Sequence, residues 1–133
     1  MQEAIDIFVD RLVTMKPRTF RGYKCSSATR HKVKVYVNIT SDDPELKLGT
    51  DEKYELLITT QASSETLVYI NSFSFYGARH ALETLSQLIV WDEMIPALVM
   101  MKNAQIRDSP AFTHRGLAID TARSYIPVTM IKK

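Results

Sequence analysis

The sequence predicts an α+β fold, an antiparallel sheet with helices packed against it, on three observations. From Lys32 the residues alternate strictly, with Val33, Val35, Val37 and Ile39 on one side and Lys34, Tyr36, Asn38 and Thr40 on the other, the two-residue period of a half-buried strand. Tyr54 to Thr59 and Thr66 to Ile70 carry strand character a short distance apart, as the arms of an antiparallel pair do. Two other stretches space their apolar residues by three, four and seven, the period of an amphipathic helix. With 133 residues, 45% of them hydrophobic and 24% charged, the chain holds one ordinary core and not two, and disorder is excluded as its main description.

The first helix is predicted over about Gln2 to Met15, where Ile5, Phe8, Val9, Leu12 and Val13 share a face; Lys16-Pro17 ends it. Pro17 to His31 shows no periodicity, contains Gly22 and reads as a loop. The alternating strand is broken by Ser41-Asp42-Asp43-Pro44, and a polar loop with Gly49 leads to Asp51-Glu52. Tyr54, Leu56 and Ile58 then alternate with Glu55 and Thr59, and Gln61 to Ser64 connects them to Thr66–Ile70. Ser74 to about Trp91 is the most regular helix: Phe75, Ala78, Leu82, Leu85 and Ile89 form a stripe that Ala81 and Leu88 widen. Ser72 or Ser74 can cap its start. Arg79 and Glu83 stand four apart, the spacing of a surface ion pair worth about 0.2–0.5 kcal/mol. Leu98 to Met101 is a short strand or covered connector, and Ile106-Arg107-Asp108-Ser109-Pro110 reads as a linker.

Beyond that linker, His114 to Asp120 is an apolar segment charged only at its ends, the pattern of a strand buried on both faces. Thr121 to Ile126 is a loop, and Pro127 suits the first turn of a helix. Strand, loop and helix start make one unit of a (β/α) fold, and one unit cannot bury itself. The expected organisation is an α+β domain over residues 1–108 and the truncated start of a second domain over residues 109–133, in a piece of a larger protein.

The net charge of +2 hides an asymmetry: Arg11 to Ser41 carries eight basic residues and no acid, and the remainder is net negative. Such a stretch can mark a nucleic-acid or anionic-lipid footprint. No aromatic stacking pattern accompanies it, so it is read as a solvated loop and strand face, with no nucleic-acid partner expected. The opening residues show no signal peptide, and no apolar run approaches the roughly 20 residues that span a bilayer. Asn38-Ile39-Thr40 is nevertheless an N-glycosylation sequon, and the alternation puts Asn38 on the polar side of its strand. Cys25 is the single cysteine; a free intracellular thiol and a secreted cysteine whose partner lies elsewhere both fit.

No self-sufficient catalytic or metal site is legible. His31, His80 and His114 share no ligand spacing, and His80-Ala81-Leu82-Glu83 lacks the second histidine of a zinc-protease helix. The glycines are too scattered for a phosphate loop, no Gly-x-Ser-x-Gly elbow occurs, and Cys25 has no evident histidine partner. No cofactor is expected. One candidate remains in the loop after the apolar segment, because charged residues at the C-terminal ends of barrel strands face active sites. Arg123 there offers a planar fork of donors to hydroxyls or carboxylates; a loop arginine paired with Asp120 is the other reading.

Two segments carry a family resemblance. Arg115-Gly116-Leu117-Ala118-Ile119-Asp120-Thr121-Ala122-Arg123-Ser124-Tyr125 resembles the first barrel strand and loop of glycoside hydrolase family 20, the β-N-acetylhexosaminidases. Phe75-Tyr76-Gly77-Ala78-Arg79-His80-Ala81-Leu82-Glu83-Thr84-Leu85-Ser86-Gln87-Leu88-Ile89 resembles the long helix of that family's non-catalytic N-terminal domain, in wording nearest the insect-type enzymes. The resemblance implies an α+β domain shoring up a (β/α)8 barrel that removes terminal N-acetylglucosamine or N-acetylgalactosamine by a retaining, substrate-assisted mechanism. It also implies that Arg123 binds ring hydroxyls of the terminal sugar, that Asp120 and Arg115 are structural, and that the catalytic Asp-Glu pair lies later in the barrel, outside this chain. The family is secretory, lysosomal or cell-surface, its partner is a carbohydrate, a homodimer is compatible with it, and membrane anchoring stays open. Ala122 and Ser124 depart from the commonest wording and leave Arg123 intact. From a different class stands the alternative of a stand-alone α+β interaction or glycan-binding module.

Overall fold

A computed structural model describes residues 1–17, 32–61 and 65–132. Most of the predicted loop up to His31, with Arg18, Arg21, Gly22, Lys24, Cys25 and Arg30, lies outside the described residues, as does the connection at residues 62–64. The elements run α1 (Gln2–Met15), β1 (Lys32–Ile39), β2 (Tyr54–Thr60), β3 (Glu65–Ser72), α2 (Phe75–Gln87), β4 (Ile89–Asp92), β5 (Ala97–Met100), β6 (Asn103–Asp108) and α3 (Val128–Ile131). The α+β class is thus the observed one.

Four strands form one sheet in the order β1-β3-β2-β6. The pairs β2–β3 and β2–β6 are antiparallel, with Ile58 opposite Val68 and Leu56 opposite Ile106. By contrast, β1 and β3 are parallel, Val35 lying opposite Val68. The sheet is therefore mixed and not purely antiparallel. A period of two identifies the buried face of a strand but not its direction; here β3 lies between β1 and β2, antiparallel to its hairpin partner β2 and parallel to β1.

Two boundaries also differ from expectation. The long helix stops at Gln87, and the β-branched and aromatic run Ile89-Val90-Trp91 turns into β4, paired antiparallel with β5. Ile89 stays buried at the end of the stripe. The expected linker at Ile106 is instead the end of β6, whose Ala104 and Ile106 pack on the core while its charged residues face water. Two apolar residues in six gave too weak an alternation to read.

The core sits between one face of the sheet and the helices. Leu56, Ile58, Val68 and Ile70 meet Ala78, Ala81, Leu82 and Leu85 of α2, and Leu56, Ile58, Ile70, Leu85 and Val68 are almost wholly removed from water. Each such aliphatic side chain contributes roughly 1.5–3 kcal/mol by burial. The helix α1 lies beside α2, with Ala4, Ile5, Phe8, Leu12 and Met15 partly buried. Glu83 pairs across the two helices with Arg11 and not along α2 with Arg79.

Ser74 caps α2: its Oγ accepts from the Gly77 N–H at 3.3 Å and donates to the Asp51 carbonyl. Removing it strips a buried helix N-terminus of its acceptor and unties the loop before β2. Ser74→Ala is expected to cost about 1 kcal/mol, measured by urea unfolding.

The C-terminal segment departs most from expectation. His114 to Asp120 joins no ladder, and all seven of its residues are exposed, Leu117 at 85%. A two-sided strand needs neighbours for its backbone and for both faces, and among the described residues none stands beside it. After Pro127 the short helix α3 begins, as that proline suggested. No helix of the described residues is long and apolar enough to cross a membrane.

Candidate functional site

The most organised polar cluster ties three parts of the chain together through Glu52, at the end of the loop before β2. Its Oε2 accepts from Arg115 Nη2 at 2.6 Å and from His80 Nε2 at 2.8 Å. Helix periodicity puts His80 on the flank of α2 that faces this loop, one turn after Gly77. Arg115 Nη1 also donates to the Phe112 carbonyl at 2.6 Å, which folds the segment after Pro110 back on itself. The Glu52 side chain is only 12% exposed, while His80 and Arg115 remain open to solvent on one side.

The cluster has a definite electrostatic sense. The Arg115 hydrogen bond, then that of His80, holds the Glu52 carboxyl below its ordinary value of 4.5, against the opposing effect of burial. An ionised carboxylate only accepts, so His80 Nε2 must carry the shared proton. A carboxyl whose pKa is lower folded than unfolded adds stability that is complete above the unfolded value and fades as pH falls through the folded one. Glu52→Gln is therefore expected to cost about 1–2 kcal/mol at pH 7. The gap from wild type should close below about pH 4, as compared by urea unfolding at pH 7 and pH 3.

This depressed pKa is the wrong direction for a general acid. The chain contains two adjacent Asp-Glu dipeptides, Asp51-Glu52 and Asp92-Glu93. In the first, Asp51 Oδ1 accepts from the Lys53 N–H and Glu52 is held as described. In the second, Asp92 Oδ1 accepts from the Met94 and Ile95 N–H groups in the β4–β5 turn. Both dipeptides serve the fold. Among the described residues no group of three His, Cys, Asp or Glu side chains can hold a metal.

Arg123 extends into solvent with its side chain 93% exposed, and Asp120 stands 3.8 Å from its Nε. Asp120 Oδ1 also accepts from the Ala122 N–H, closing the loop's turn. The structure thus brings Arg123 and Asp120 together and leaves the guanidinium fork open. Asn38 is exposed on the sheet face away from the helices, opposite Asn71. Cys25 and His31 lie outside the described residues. Glu52 was not picked out from sequence: a carboxylate in a polar loop carries no periodic or spacing signal.

A family model described as beta-acetyl hexosaminidase like matches residues 1–88, from α1 through the end of α2. The chitooligosaccharidolytic beta-N-acetylglucosaminidase of Bombyx mori is 35% identical over 113 residues, 85% of this chain and 19% of that protein. The Ostrinia furnacalis protein of the same name is 38% identical over 106 residues, 79% of this chain and 18% of that protein. The probable beta-hexosaminidase fdl of Drosophila melanogaster is 38% identical over 121 residues, 90% of this chain and 18% of that protein. The chain spans about one fifth of the length of these curated relatives. Since the family match takes in about two thirds of the chain, including every element that builds the core from α1 to α2, the chain belongs to the β-hexosaminidases of glycoside hydrolase family 20 and carries their N-terminal α+β domain.

Proposed function

We propose that residues 1–108 are the non-catalytic domain of a β-N-acetylhexosaminidase and that residues 109–133 open its (β/α)8 barrel. In this reading Arg123 is presented to the ring hydroxyls of a terminal N-acetylglucosamine or N-acetylgalactosamine. The observation that carries it is the Glu52 cluster. Arg115 begins the segment resembling the first barrel strand, and it is held by Glu52, which also accepts from His80 of the Gly-Ala-Arg-His run of α2. The α+β domain then fixes the point from which the barrel grows.

Two further observations support this. A continuous match over 90% of the chain has to run past Pro110. Phe112, Leu117, Tyr125 and Met130 are 73%, 85%, 83% and 68% exposed, a surface suited to burial against neighbouring barrel units; a stand-alone module would keep that apolar surface in water.

The resemblance supplies the reaction. The substrate's acetamido oxygen attacks its own anomeric carbon, an Asp orients that group, and a Glu protonates the departing glycosidic oxygen before activating water. Neither Asp51-Glu52 nor Asp92-Glu93 is assigned that role. Two of the relatives are named for chitooligosaccharides, and these are included in the substrate class we assign. The reading also places the protein in the secretory pathway, where Asn38 meets the glycosylation machinery. In a direct test, the 133-residue chain shows no turnover of a chromogenic N-acetylglucosaminide above the blank, while the protein with its whole barrel hydrolyses it. Turnover by the chain alone overturns the assignment.

A further inference from the structure

The sheet has a second face, and among the described residues none of the three helices packs on it. The register sets out its rows across β1, β3, β2 and β6: Tyr36, Tyr69, Leu57 and Gln105 in one, Asn38, Asn71, Glu55 and Arg107 in the next. Tyr36 and Tyr69 stack with ring centroids 5.2 Å apart and planes inclined by 14°. Apolar surface on this face is nevertheless open: Tyr36 is 48%, Leu57 42%, Tyr69 37% and Phe73 53% exposed. Beside the tyrosines lies a depression of about 570 Å³, lined by Asn38, Thr40, Asn71, Phe73, Glu55 and Arg107 among others.

We propose that the occupant of this face is the chain's own N-linked glycan, attached at Asn38, with its first N-acetylglucosamine packed against the Tyr36–Tyr69 pair. This deepens the secretory reading above and rests on it. The attachment point is inside the site: Asn38-Ile39-Thr40 is the sequon, and both Asn38 and Thr40 line the depression. Residues two apart on a strand share a face and stand about 7 Å apart, so Tyr36 is within one sugar ring of the Asn38 side chain. A pyranose presents an apolar C–H face, which suits an aromatic ring, and an edge of hydroxyl and acetamido groups. Asn71, opposite Asn38, and the Glu55–Arg107 pair at 2.8 Å supply donors and acceptors for that edge. Covalent attachment makes the contact intramolecular, so weak stacking suffices to keep the sugar in place.

The experiment compares wild-type protein, Asn38→Gln and Thr40→Ala, each with and without Tyr36→Ala, secreted from insect cells. Occupancy is read by the mass released with a peptide-N-glycosidase. In the Tyr36 background, loss of the glycan through either sequon variant lowers the thermal midpoint by about 2–4 °C; in the Tyr36→Ala background the loss has no effect. An equal loss in both backgrounds overturns the packing. Saturable binding of free chitotriose to this face in the glycan-bearing protein also overturns it, because the face would then serve an external ligand. A bare Asn38 in protein recovered from the secretory compartment overturns the inference alone. Native protein found in the cytosol of its own cells overturns the secretory reading and the inference with it.

Discussion

Gly77→Ala is expected to destabilise the protein by about 3 kcal/mol, although alanine is the better helix former by about 1 kcal/mol. A Cβ at position 77 would lie 2.4 Å from the Lys53 carbonyl oxygen, 3.1 Å from that of Glu52 and 3.1 Å from Ser72 Cβ. The first two are backbone atoms and cannot swing aside. Relief requires α2 to lift from the loop before β2, which loosens Ala78 and Ala81 in the core and pulls Glu52 from His80 and Arg115. Gly77 is needed for this close approach, not for an unusual backbone angle, since Gly49 is the glycine with a positive φ among the described residues. Urea unfolding checks the value; an unchanged or raised midpoint refutes the close approach. Because both changes act on one contact, Glu52→Gln should cost less in the Gly77→Ala background than alone.

The same position shows how much of the molecule was legible in the sequence. The Gly-Ala-Arg-His run identified α2 as a family helix, and its apolar stripe named the core residues Ala78, Leu82 and Leu85, all buried. What the run could not convey is that Gly77 faces a carbonyl and His80 a carboxylate, because both partners come from a loop with no pattern of its own. Strand direction was illegible for a related reason: Val33 to Ile39 shows the same alternation whether its neighbour runs parallel or antiparallel. At the C-terminal end the sequence speaks for an environment the described residues do not contain. Leu117-Ala118-Ile119 has the composition of a two-sided buried strand, yet its residues are exposed, since burial is a property of neighbours and not of the segment. Arg123 was legible as a candidate through position and resemblance, whereas its open guanidinium and its spacing from Asp120 needed coordinates.

In the protein carrying its whole barrel, Arg123→Ala is expected to lower kcat/KM for a chromogenic N-acetylglucosaminide by about 10²–10⁴-fold while leaving the unfolding midpoint unchanged. The first half follows from the proposed role. Two charge-assisted hydrogen bonds from a planar fork to ring hydroxyls are worth roughly 1.5–3 kcal/mol each at a site screened from water, and losing both removes binding that persists into the transition state. The second half follows from the geometry, because a side chain 93% exposed with one partner at 3.8 Å contributes little to folding. Arg123→Lys keeps the charge but not the fork, so it should recover only part of the loss. Arg115→Ala supplies the opposite signature. That side chain holds Glu52 and the Phe112 carbonyl, so its loss should lower stability first and activity only through it. If Arg123→Ala instead lowers stability and spares kcat/KM, the arginine belongs to the loop and not to the sugar, and the assignment of residues 109–133 as the substrate-facing start of the barrel falls with it.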